Sequence, residues 1–98
     1  MIVLFVDQLG QIVATPGALV ALAATNTSPS TLLSRHASGD WGDLDAHDRA
    51  TNDAALRDGS RLLSAYTVAE GVTVWIITEA TDEDGHRAAT TLLLPEEY

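Results

Sequence analysis

Apolar residues recur along this chain with two periods, and the change from one to the other falls near residue 60. Leu19, Leu22 and Ala23, then Leu32, Leu33 and His36, follow helical spacing. From Ser60 onward Leu62, Ser64, Tyr66 and Val68 alternate with Arg61, Leu63, Ala65 and Thr67, the period of a strand. A turn at Ala69-Glu70-Gly71 leads into Val72 to Glu79, whose two faces are both partly apolar, so this strand is expected to be central. Ala89 to Leu94 returns as a third strand ended by Pro95, after a polar loop from Thr81 to Arg87.

The first half supplies the other elements. Ile2 to Val6 and Gln11 to Thr15 read as two paired strands around Asp7-Gln8-Leu9-Gly10, with the glycine in the turn. Thr15-Pro16 and Ser28-Pro29 each place a capping hydroxyl before a proline, which loses nothing at the first helical position because its missing N–H would be unpaired there. A third helix is expected from a cap at Asp45, with Asp48 three residues on, to a stop at Gly59. Its apolar side is thin, only Ala46, Ala50, Ala54 and Leu56, which places it at the surface. Asp45 with Arg49 and Asp53 with Arg57 form i,i+4 pairs in the favourable order. The expected fold is α+β in one domain spanning residues 1–98: a three-strand antiparallel meander, an N-terminal hairpin at its edge, and three short helices.

Composition supports a folded core, with 46% hydrophobic and 19% charged residues, and few aromatics, so Trp41, Trp75, Tyr66 and Phe5 are expected to dominate packing. The chain has no cysteine, which fits a reducing cytoplasm and excludes disulfides and thiolate metal sites. Met1 to Val6 is too short for a signal peptide or a membrane span. Charge changes the picture more. Fourteen carboxylates face five arginines and no lysine, for a net charge of -9, which disfavours contact with phosphate backbones or anionic lipid and favours basic grooves. An acidic surface also serves plain solubility.

One segment concentrates candidate chemistry. Arg35 to Asp48, RHASGDWGDLDAHD, carries two histidines, four aspartates, two glycines and a tryptophan. Three readings stand side by side. His36, Asp40, Asp43 and His47 could ligate a divalent metal or pair for acid–base work, as a small metal-dependent enzyme would. Alternatively, Gly39 and Gly42 take positive φ, Asp40 and Asp43 bond backbone amides, and Trp41 plugs the loop into the core. In the third, the loop is exposed and Trp41 anchors a protein partner within a ring of carboxylates. Ser34 and His36 lie two apart on a helix and face different ways, and Ser64 with Tyr66 reads as strand packing, so no nucleophile–base pair emerges. His86 among Asp82, Glu83 and Asp84 reads as a solvated loop. No phosphate-cradling glycine loop or dinucleotide fingerprint occurs, so neither an enzyme nor a cofactor is expected.

GQIVATPGALVAL at Gly10 to Leu22, RHASGDWGDL at Arg35 to Leu44, GSRLLSAYTV at Gly59 to Val68, VWIITEA at Val74 to Ala80 and TTLLLPEEY at Thr90 to Tyr98 run through nearly the whole chain. In order and content they resemble a family of small proteins borne by plasmids and phages, loosely labelled plasmid-related or restriction-subunit-like. The chain departs from that pattern in an extended Met1 to Leu9 and in the long acidic loop Thr81 to Arg87, where relatives have a short turn containing arginine. The family carries no catalytic residues to transfer. Residence on mobile elements, joined to a lysine-free acidic surface, implies an inhibitor of a host nucleic-acid-targeting complex, of the anti-CRISPR or anti-restriction kind, acting as a phosphate mimic. Its contact residues are expected to be Asp40, Asp43, Asp45, Asp48, Asp53 and Asp58 as an acidic ridge, with Asp82, Glu83 and Asp84 as a second cluster. The competing expectation is a regulatory interaction module that binds one protein through Trp41.

Overall fold

The computed structural model describes residues 6–98. Four strands, β1 (Gln11–Ala14), β2 (Leu62–Ala69), β3 (Val72–Thr78) and β4 (Ala89–Leu93), form one sheet in the order β1-β4-β3-β2. Three helices, α1 (Pro16–Ala24), α2 (Pro29–Ala37) and α3 (Ala46–Asp58), complete an α+β fold whose sheet is mostly antiparallel. The C-terminal meander is as expected, with β3 in the interior of the sheet. Among the described residues no helix is long and apolar enough to cross a membrane.

The N-terminal region differs from the expected hairpin. Its first arm falls, up to Phe5, outside the described residues; Val6–Leu9 is a 3-10 turn, and β1 pairs with β4 in parallel. Parallel pairing needs a long crossover, and here nearly the whole chain between β1 and β4 supplies it. Alternation within a four-residue strand cannot distinguish the two pairings, because both place side chains with the same period.

Cap chemistry fixes the helix starts. Thr15 Oγ1 accepts the Ala18 N–H at 3.1 Å and donates to Glu97 Oε1 at 2.5 Å, which ties the start of α1 to the chain end. Ser28 instead shares its hydroxyl with Ser30 and leaves α2 without a side-chain cap. Asp45 caps α3 through the Asp48 N–H at 2.8 Å, and Gly59 ends it in the left-handed conformation.

Burial corrects two expected helix faces. On α1, Ala18 and Leu22 point inward while Leu19 is 52% exposed and Ala23 is exposed. On α3, Ala46, Ala50 and Ala54 are exposed and Asn52 and Ala55 are buried. Small alanines contribute little to either choice, so specific contacts decide which side of the helix turns in. The expected pairs Asp45–Arg49 and Asp53–Arg57 are also absent, since Arg35–Asp40 is the sole ion pair among the described residues. Arg49 and Asp53 bond the preceding loop instead.

Ala18, Leu22 and Leu32 pack on Tyr66, Val74, Ile76 and Leu92, and Trp41 and Ala55 pack on Leu62. Leu62, Tyr66, Val74, Ile76 and Leu92 lie on one face by strand parity and register, so both clusters cover the same side of the sheet. The opposite face carries Ala65, Ile77, Leu93 and Trp75, the last in an edge contact with Tyr98.

Candidate functional site

The segment between α2 and α3 behaves as a short extra strand along the outer edge of β2. Gly42 bridges Ala65 in parallel, with Ala65 N–H donating to Trp41 O at 3.1 Å and Asp43 N–H to Ala65 O at 2.7 Å. Asp43 Oδ2 then accepts from the Thr67 N–H at 2.9 Å and the Thr67 hydroxyl at 2.7 Å. From the middle of α3, the Asn52 side chain pairs with Leu63 as a strand backbone would, Nδ2 to Leu63 O at 2.6 Å and Leu63 N–H to Oδ1 at 3.1 Å. The outward N–H and C=O groups of Leu63 and Ala65 and the N–H of Thr67 are thereby satisfied, and this stretch of the β2 edge is closed to other strands. Gly42 makes the approach possible: its φ is 77°, and a Cβ there would lie 1.9 Å from Ala65 O.

Trp41 is only 4% exposed, its indole N–H donates to Asp53 Oδ1 at 3.0 Å, and its ring lies T-shaped to that of His36 with centroids 5.7 Å apart. An exposed tryptophan anchor is therefore not what this loop presents; Trp41 fastens it to the core. Gly39 and Gly42 have positive φ, and Asp40 Oδ1 accepts the Gly42 N–H at 3.2 Å, as the loop-architecture reading expects. Arg35 bonds Asp40 at 2.6 Å and lies over the Tyr66 ring, while the Tyr66 hydroxyl donates to Asp40 O at 2.7 Å. The Arg35 bond holds the Asp40 carboxyl below its ordinary range, and the Thr67 bonds do the same for Asp43.

The reading of His36, Asp40, Asp43 and His47 as a ligand set fails on His36. That ring is fully buried and both nitrogens are taken, Nδ1 by Ser64 Oγ at 2.6 Å and Nε2 by Thr78 Oγ1 at 2.8 Å. Thr78 Oγ1 continues to Thr90 Oγ1 at 2.7 Å, and the Thr90 hydroxyl donates to Leu9 O at 2.6 Å. Burial pushes the His36 pKa down to about 4, helped by the nearby Arg87 charge. The pair Ser64–His36 has the contact of a nucleophile and its base, but both groups are fully buried.

Sequence reading missed this belt, although it left a trace. Ser64, Thr78 and Thr90 are hydroxyls at positions whose strand neighbours Leu62, Tyr66, Ile76 and Leu92 face the core. Three inward hydroxyls on neighbouring strands call for a polar partner on the covering layer, and His36 is that partner.

All nine expected acidic contact residues are exposed, but they do not make one ridge. Asp48, Asp53 and Asp58 follow α3 at five-residue steps, each turned about 140° round the axis from the last. Asp40 and Asp43 stand on the loop near the start of α3, and Asp58 bonds Ser60 N–H at its end. There Thr81 N–H donates to Gly59 O at 2.8 Å, and Asp58, His86 and Arg87 line one open groove. The second acidic cluster thus adjoins the C-terminal end of α3. Within it Asp82, Asp84 and His86 lie with ligand atoms inside 4.8 Å of one another, in an Asx turn where Asp82 Oδ1 accepts the Asp84 and His86 N–H groups at 2.9 Å each.

No family model, no curated protein and no solved structure matches the chain.

The arginines are largely committed to holding the fold. Arg87 is 9% exposed and donates to Ser60 O at 2.8 Å, Glu79 O at 2.9 Å and Ala55 O at 3.1 Å, so it clamps the end of α3 to the end of β3. Arg35 is bound to Asp40, Arg49 donates to Gly42 O at 3.1 Å, and Arg61 lies against Tyr98.

Proposed function

We propose that this protein is a binding inhibitor, carried by a mobile element, that occupies a basic nucleic-acid groove of a host defence complex. The observation that carries the reading is the split between the two charges. Nine carboxylates of the loop, α3 and the Thr81 to Arg87 turn face solvent, whereas one arginine is buried and three others bond or stack on the protein itself. Exposed carboxylates thus outnumber exposed arginines around α3, and the outward potential there is negative.

Placement adds support. Two acidic groups, Asp40 with Asp43 and Asp58 with Asp82 to Asp84, stand at opposite ends of α3, whose thirteen residues rise about 20 Å. That span equals about six phosphates along one strand. Bonds to Arg35, Gly42, Thr67 and Ser60 keep Asp40, Asp43 and Asp58 in place, so little side-chain freedom is lost when a basic groove closes on them. The motif order resembles that of plasmid- and phage-borne proteins, and that resemblance points to the same class of partner.

The test separates folding from binding. Asp48, Glu83 and Asp84 have no side-chain bond among those described, so their simultaneous reversal to arginine leaves caps and loop bonds intact. A purified nuclease complex that the protein binds should release it with rising salt and in competition with the complex's own nucleic acid, and the triple variant should lose at least tenfold in affinity. Undiminished binding by the folded variant refutes mimicry.

A further inference from the structure

We propose that the buried chain from Leu9 to Ser64 is a proton-ordering relay, in which the Leu9 carbonyl sets the tautomer of His36. The order follows from counting hydrogens. The single Thr90 hydroxyl proton is given to Leu9 O, so at 2.7 Å Thr90 Oγ1 must accept from Thr78. The Thr78 proton is then spent, and Thr78 must accept from His36 Nε2 at 2.8 Å. His36 is consequently the Nε2–H tautomer, and its bare Nδ1 accepts from Ser64 at 2.6 Å. Every donor has one acceptor, and all four side chains are fully buried, so no water competes.

The order is set from the N-terminal end. Reversing it would turn the Thr90 hydroxyl toward Thr78 and leave the buried Leu9 carbonyl without a donor. The His36 ring also packs on Trp41, so the relay links the N-terminal turn to the loop that carries Asp40 and Asp43.

Long-range nitrogen–proton correlation spectra of the imidazole at neutral pH read the tautomer directly. The wild-type protein should show protonated Nε2 and bare Nδ1; the Nδ1–H form or an averaged mixture overturns the proposal without any variant. Thr90→Val keeps the side-chain shape and removes the proton to Leu9, and it should remove the bias, so that His36 shows a mixture of both tautomers. Retention of Nε2–H in that variant refutes the coupling. Thr90→Ser, which restores the hydroxyl, should return the wild-type pattern and guards against a purely structural effect of the valine.

Discussion

His36 is a buried base held neutral, and this sets a pH dependence of known sign. Its folded pKa of about 4 lies below the ordinary 6.5, so the unfolded chain takes up the proton first. The stability His36 contributes is complete above pH 6.5, declines as pH falls to about 4, and changes no further below. Roughly 3 kcal/mol is involved. Denaturant titrations at pH 7 and pH 4.5 should show this loss, and His36→Gln should flatten it. Asp40, Asp43, Asp58, Asp82 and Glu97 have lowered values, so their contributions disappear only as pH falls below the ordinary carboxylate range. At the other end of the ring contact, Trp41→Phe removes the N–H bonded to Asp53 and should cost about 1 kcal/mol. Gly42→Ala forces a side chain against Ala65 O and should cost at least about 2 kcal/mol in the same assay. The glycines and aspartates of this loop were legible in the sequence because turn chemistry is local. The partners of His36 were not, since they lie 28 and 42 residues away and depend on strand register.

At the level of elements, β2 and α3 explain each other. The helix turns Asn52 inward because its side chain replaces the missing neighbour strand at Leu63, which outweighs the slight pull of Ala46, Ala50 and Ala54. Asn52→Ala should lower stability by about 2 kcal/mol and free the Leu63 backbone for pairing. Light scattering on warming should detect earlier association in that variant than in the wild type, and an unchanged profile would show that the edge is closed by other means. Helix starts and the C-terminal meander could be read from the chain because caps and alternation act over a few residues. The pairing of β1 with β4 could not. Its register joins Gln11 to Ala89, and nothing within four residues of polar and apolar alternation records which distant strand lies beside them.

For the molecule as a whole, the fourteen carboxylates repel one another wherever they face solvent, and the arginines that could offset them are mostly engaged with the protein. Thermal melts at neutral pH should therefore shift upward as sodium chloride rises from low to physiological concentration. A flat response would mean that the committed arginines already balance the surface. The Thr81 to Arg87 turn concentrates this charge, and it is tied to the rest of the fold at its two ends, Thr81 and Arg87. A bridge between Thr81 and Arg87 closes its base, Asp82 organises its interior, and a Cβ at Gly85 would meet nothing within 4 Å. A guest sequence spliced in beside Gly85 would hang outward from a finished stem. Such a chimera should fold like its parent, and a bulky fluorescent guest there would act as a fender, keeping a large partner away from the carboxylates beneath it.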